Sequence, residues 1–163
     1  MKPDLSKVYL TAPAPVLDVP GSQVELVSDH LIGDRRSLRL HVSTPEGVSF
    51  VAGSISSTSP IAAITLAGTP IPDPNTLASR RTPWVEQKFQ YWAPPAEGFD
   101  VIVEVGQPGR FTLSISDHRY GLPQVPGFTT RERPADRMPL AREFLPNSKT
   151  DRVLVSGSFV FGL

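Results

Sequence analysis

The chain carries three histidines, His30, His41 and His118, and two of them close the same short string: Ser28-Asp29-His30 recurs as Ser116-Asp117-His118. A serine, an acid and a histidine are the parts of a hydrolase triad, in which the imidazole takes the hydroxyl proton and the carboxylate orients the imidazole. Direct neighbours on a strand point to opposite faces, however, so adjacency in sequence does not assemble that geometry. No G-x-S-x-G elbow is present either. Asp29 and Asp117 are therefore expected to end strands, with the histidines beside them in turns. A stand-alone hydrolase using Ser116, Asp117 and His118 is the least favoured reading.

Other chemistries find less material. There is no Cys, which removes disulfides, thiolate zinc ligands and a Cys nucleophile. No pair of histidines has the i, i+4 spacing of a helical zinc site. No glycine-rich loop of the phosphate-cradling kinds occurs. Glu86, Glu97 and Glu104 read as ordinary surface positions rather than a glycosidase pair. The aromatics offer a binding alternative: Trp84, Tyr91 and Trp92, with Tyr120, would form a stacking platform for sugar on a sheet face, making the chain a carbohydrate-binding module. Against that stands the more common fate of large aromatics, in which Trp84 and Trp92 cap the ends of a core or pack beneath a loop.

The elements that must position these residues are strands. After Gly21 the sequence alternates with period two, and no window sustains a helical period. Gln23 to Asp29, with Val24, Leu26 and Ser28 on one face, and Leu38 to Val42 form a hairpin through Gly33-Asp34. Further strands are expected at Val48–Ser56, Ile61–Leu66, Trp84–Trp92, Phe99–Val105, Phe111–Asp117 and Val153–Phe161. A short stretch at Ile71 and a loop over 72–83 separate the fourth and fifth. In Trp84–Trp92 the face bearing Val85, Gln87, Phe89 and Tyr91 is the better core candidate. Gly106 to Gly109 is expected to join its two strands as a hairpin. About eight short strands set off by Gly and Pro turns describe an antiparallel β-sandwich, immunoglobulin-like or jelly-roll-like. Residues 118–152 are the exception, a long loop with five Pro, of the functional or covering kind.

Composition sets the limits. The chain has 163 residues, 18 of them Pro and 12 Gly, with 16 Lys plus Arg balancing 16 Asp plus Glu. That length suits one domain with a sizeable core. A cancelled net charge argues against non-specific nucleic-acid binding. No apolar run approaches the roughly 18 residues of a membrane span, and the start lacks the apolar stretch of a signal peptide. Pro3, Pro13, Pro15 and Pro20 mark residues 1–22 as a lead-in or tether, ahead of a single domain over 23–163.

Two segments are more specific. Tyr91-Trp92-Ala93-Pro94-Pro95-Ala96-Glu97-Gly98-Phe99-Asp100 leads into a Val-rich strand. Asp117-His118-Arg119-Tyr120-Gly121-Leu122-Pro123 is followed by Arg133-Pro134-Ala135-Asp136-Arg137-Met138-Pro139, and Val155-Ser156-Gly157-Ser158-Phe159 lies near the end. This order, over roughly residues 23–161, resembles the C-terminal region of bacterial membrane-anchored zinc exopeptidases of the aminopeptidase / glutamate-carboxypeptidase-like family. The resemblance implies that the chain is the β-rich accessory piece alone. The zinc would belong to a catalytic domain that precedes it, and none of that family's zinc ligands maps onto this sequence. It also implies an extracytoplasmic (periplasmic) place, tethered to the inner membrane, with the catalytic and transmembrane parts of the same polypeptide as partners and a glycan or peptide as candidate ligand. The motif residues have a local reading too. Tyr120, Gly121, Leu122, Pro123, Arg133 and Asp136 are candidates for organising the loop or for contacting a partner: Gly121 suits a positive φ, Pro123 holds Leu122 extended, Tyr120 can bury its ring as in a tyrosine corner, and either Arg133 pairs with Asp136 or Asp136 accepts backbone N–H groups, pinning the long loop.

Overall fold

A computed structural model describes residues 17–76, 82–106, 109–121 and 152–161. Nine strands follow one another along the chain: β1 (Gln23–Ile32), β2 (Arg35–Ser43), β3 (Phe50–Ser57), β4 (Ile61–Leu66), β5 (Thr69–Ile71), β6 (Glu86–Trp92), β7 (Phe99–Gly106), β8 (Phe111–Tyr120) and β9 (Arg152–Phe161), with one 3₁₀ turn at Pro74–Thr76. All pairings are antiparallel. Sheet A has the order β1-β2-β7-β4-β5 and sheet B the order β6-β3-β8-β9. The expected all-β sandwich is therefore present. Its pairings nest: β4 with β5, β3 with β6, β2 with β7. A ribbon folded back on itself and wound across two sheets is the jelly-roll alternative of the two sandwich types.

Period-two patterning produces the core. In β7 the side chains of Phe99, Val101, Val103 and Val105 are buried while those between them are half-buried. Phe111, Leu113 and Ile115 of β8 face them from the other sheet, joined by Leu38, Leu40 and Val42 of β2 and by Val51 and Ile55 of β3. One cross-strand pair requires glycine. Phe89 of β6 lies opposite Gly53 of β3 and its ring folds flat over the glycine, so that a Cβ there would stand 2.0 Å from Phe89 Cζ.

Several expectations are corrected. Gly106 to Gly109 does not close a hairpin: both edges of β7 are already occupied, by β2 and β4, so the chain must cross to sheet B before β8 begins. Asp29 and Asp117 do not end strands and His30 and His118 do not sit in turns. The β1–β2 hairpin stays paired as far as Ile32 with Arg35, and β8 runs on to Tyr120 because β9 pairs with it along that whole length. Ser28 does not share a face with Val24 and Leu26, because a bulge between Leu26 and Ser28 shifts the register by one residue. Trp84 precedes β6 and is buried, whereas Val85, assigned above to the core face, is exposed. Both residues precede β6, so the alternation of that strand does not set their faces. The turn at Gly33-Asp34 is as expected, with Gly33 at φ 63°. Within the region 118–152, residues 118–121 and 152 are strand or its immediate end, and 122–151 lie outside the described residues.

Candidate functional site

Three polar arrangements stand out from the sandwich. The first is on the outer face of sheet A, where His41 of β2 is paired in register with Asp100 of β7. His41 Nδ1 lies 2.9 Å from Asp100 Oδ1, and His41 Nε2 lies 2.9 Å from the Glu97 carbonyl oxygen. A carboxylate and a carbonyl only accept, so the two contacts are both hydrogen bonds only in the protonated ring, the imidazolium. The hydrogen bond to Asp100 is the main reason that the His41 pKa is raised above 6.5. Asp100 also accepts from Arg39, Nη2 at 2.5 Å and Nε at 3.0 Å, and its pKa is lowered, chiefly by the bond to His41 and then by that to Arg39. The turn that His41 holds is tight. Ala93 and Gly98 take φ of 47° and 85°, and a side chain at Gly98 would collide with the Val42 carbonyl oxygen and the His41 ring. Around the cluster lies an open depression of about 400 Å³ lined by Tyr91, Pro95 and Gly68 among others.

The second arrangement is the outer face of sheet B, whose registers align four strands into rows. Trp92, Phe50 and His118 form one row, and their rings stand in a stack: Phe50 is 4.4 Å from Trp92 and 4.1 Å from His118, centre to centre. Gln90, Ala52, Ser116 and Ser156 make the next row, and Lys88, Ser54, Ser114 and Ser158 the one after. Hydroxyls bond across β8 and β9, Ser116 to Ser156 at 2.7 Å and Ser114 to Ser158 at 3.2 Å. Ala52, Ser54, Lys88, Gln90, Ser114 and Ser116 of the last two rows line a shallow depression of about 540 Å³.

The third ties the lead-in to sheet B. Asp117 points inward, 1% exposed, and its two oxygens accept from the Ser22 backbone N–H and the Ser22 hydroxyl, both at 2.6 Å. Arg119 donates to the Pro20 carbonyl beside it. A Cβ at Gly21 would come within 2.9 Å of Val155, so only a small residue passes there.

The sequence-predicted residues fall as follows. Ser116 and His118 lie on the outer face of sheet B and Asp117 on the inner one, as alternation requires, so the string builds no triad; at the twin, Asp29 is bound by Arg36 Nε at 2.8 Å and Nη2 at 2.5 Å. The sugar platform is not assembled. Trp84 is buried, Tyr91 packs on Phe99 at 4.5 Å on the core side, and only Trp92, 50% exposed, remains on an outer face. Tyr120 is half-buried at the end of β8, and Gly121 has the expected positive φ, 99°. Leu122, Pro123, Arg133 and Asp136 lie outside the described residues. Sequence reasoning missed Phe50 and the pairing of His41 with Asp100. The available signal for the second was that both occupy the polar face of a strand whose other face is aliphatic.

Among the described residues, no three His, Asp and Glu side chains gather as a possible metal ligand set. No helix among the described residues is long and apolar enough to cross a membrane. A scan against protein-family models and searches of curated proteins and of solved structures find no match to the chain.

Proposed function

We propose that this chain is the non-catalytic, C-terminal accessory β-sandwich of a membrane-anchored, zinc-dependent exopeptidase, held outside the cytoplasm. The motif order from Tyr91 to Phe159 supports the family context. The observation that carries the non-catalytic half is the bonding of His41. A general base needs an accepting nitrogen, and here each nitrogen is committed to a structural acceptor. Asp117 is likewise fully engaged by Ser22. His41 and Asp117, of types that elsewhere perform acid–base chemistry, thus brace a turn and a lead-in. In this reading the domain stabilises and positions the enzyme, and the hydroxyl and amide rows of sheet B, beside Trp92, are its surface for substrate or a neighbouring subunit.

Zinc titration of the chain by calorimetry tests the division of labour. The expected result is no stoichiometric heat. Stoichiometric binding with a micromolar Kd, together with peptidase activity that a chelator abolishes, would overturn the reading and place the chemistry within these 163 residues.

A further inference from the structure

Among the described residues, strand β1 is the outer edge of sheet A. Four large apolar side chains on it are exposed: Leu26, Val27, Leu31 and Ile32. An edge strand offers unpaired backbone groups to any extended chain, and natural proteins blunt such edges with Lys, Pro, shortness or a bulge. β1 is ten residues long and contains neither Lys nor Pro. The bulge after Leu26 is its only such device.

We propose that β1 pairs antiparallel with β1 of a second copy of this chain, about a two-fold axis between Val27 and Ser28. In that register the strand is complementary to itself. Val24 faces Leu31, Leu26 faces Asp29, Glu25 faces His30 and Gln23 faces Ile32, and symmetry makes each pair occur twice. The faces agree as well. Val24, Leu26, Asp29 and Leu31 lie beside Val42, Leu40, Leu38 and Arg36 on the core side of sheet A, while Gln23, Glu25, His30 and Ile32 lie beside Ser43, His41, Ser37 and Arg35 on the outer side. Leu31, 67% exposed, then closes over the partly buried Val24 at the open flank of the core. The Glu25 carboxylate meets an imidazole of the other copy. Asp29, opposite Leu26, keeps its own bidentate partner Arg36, so no bare charge is pressed onto an apolar side chain. The bulge falls at the axis, and the ladder is carried by the regular runs on either side. Moving the axis onto His30 would instead set His30 against itself and Asp29 against Leu31. The pattern thus selects both the partner and the register.

The contact is a strand edge, smaller than the roughly 800 Å² per partner of standard interfaces, so it is weak and appears only at high concentration. Sedimentation velocity of the full chain from about 10 to 500 µM is the test. Dimer is expected to grow over that range. Glu25→Lys and His30→Glu should each weaken it about tenfold, since each sets two like-charged or mismatched pairs across the axis, and the double variant Glu25→Lys/His30→Glu should restore it. A monomer throughout the range, a dimer indifferent to either single change, or a double variant no better than the singles would overturn the proposal. A monomer that instead cosediments with phosphatidylglycerol vesicles, and stops doing so on Leu31→Ser/Ile32→Ser, would also overturn it and assign the apolar strand tip to a lipid surface.

Discussion

Replacing Asp117 by Ala tests how the lead-in is held. The carboxylate is 1% exposed and both of its oxygens accept from Ser22, at 2.6 Å each. Alanine strands a backbone N–H and a hydroxyl of a residue that is itself 8% exposed. An unsatisfied buried donor costs roughly 1–3 kcal/mol, and two of them partly relieved by water come to about 3 kcal/mol. For a domain of this size that is about 6–12 °C in Tm, at roughly 2–4 °C per kcal/mol. Asp117→Asn is a sharper probe, because the amide oxygen still accepts from the N–H and the amide N–H₂ donates to the hydroxyl, so its cost should stay within about 1 kcal/mol. Thermal unfolding followed by circular dichroism, with Ser22→Ala and the double variant completing a cycle, gives the numbers. Non-additivity between Ser22→Ala and Asp117→Ala is expected, since they remove the same contact. If Asp117→Ala is no worse than the exposed Ser156→Ala, within about 0.5 kcal/mol, the lead-in is not anchored through this carboxylate and the reasoning fails.

Two further outcomes follow from the same structure. The His41 pKa is raised by folding, so the stability it contributes is fully present below about 6.5 and is lost as pH rises through the folded value. Wild type should therefore exceed His41→Gln in Tm most clearly at about pH 6, with the gap closing toward about pH 9, and a gap that widens with pH would contradict the imidazolium assignment. Gly53→Ala drives a methyl into the Phe89 ring, which must leave its place over the glycine; a loss of about 1–3 kcal/mol is expected in denaturant unfolding, and Gly53→Ala/Phe89→Leu should recover part of it.

What was legible in the sequence was the local alternation. Val101, Val103 and Val105, or Phe111, Leu113 and Ile115, announce a strand and its buried face without help from the rest of the chain. What could not be read was the choice of partner. The short Gly-rich link after Gly106 looks like a hairpin in isolation, and only the occupation of both β7 edges sends β8 to the other sheet. The same limit hid the sites. His41 and Asp100 are 59 residues apart, and Trp92, Phe50 and His118 come from three strands, so each cluster exists only once register is fixed. The sugar platform failed for a related reason: Trp84 lies before the strand that was expected to carry it and joins the core cluster.

Whether this domain serves an enzyme whose chemistry lies elsewhere in the same polypeptide is decided in the native cell. An antibody raised against the 163-residue chain is applied to fractionated membranes, and the captured species is assayed for aminopeptidase activity. The expected species is a membrane-bound polypeptide several hundred residues longer than this chain, with activity that a zinc chelator removes. A species of this chain's own mass in the cytosolic fraction, without such activity, would contradict it.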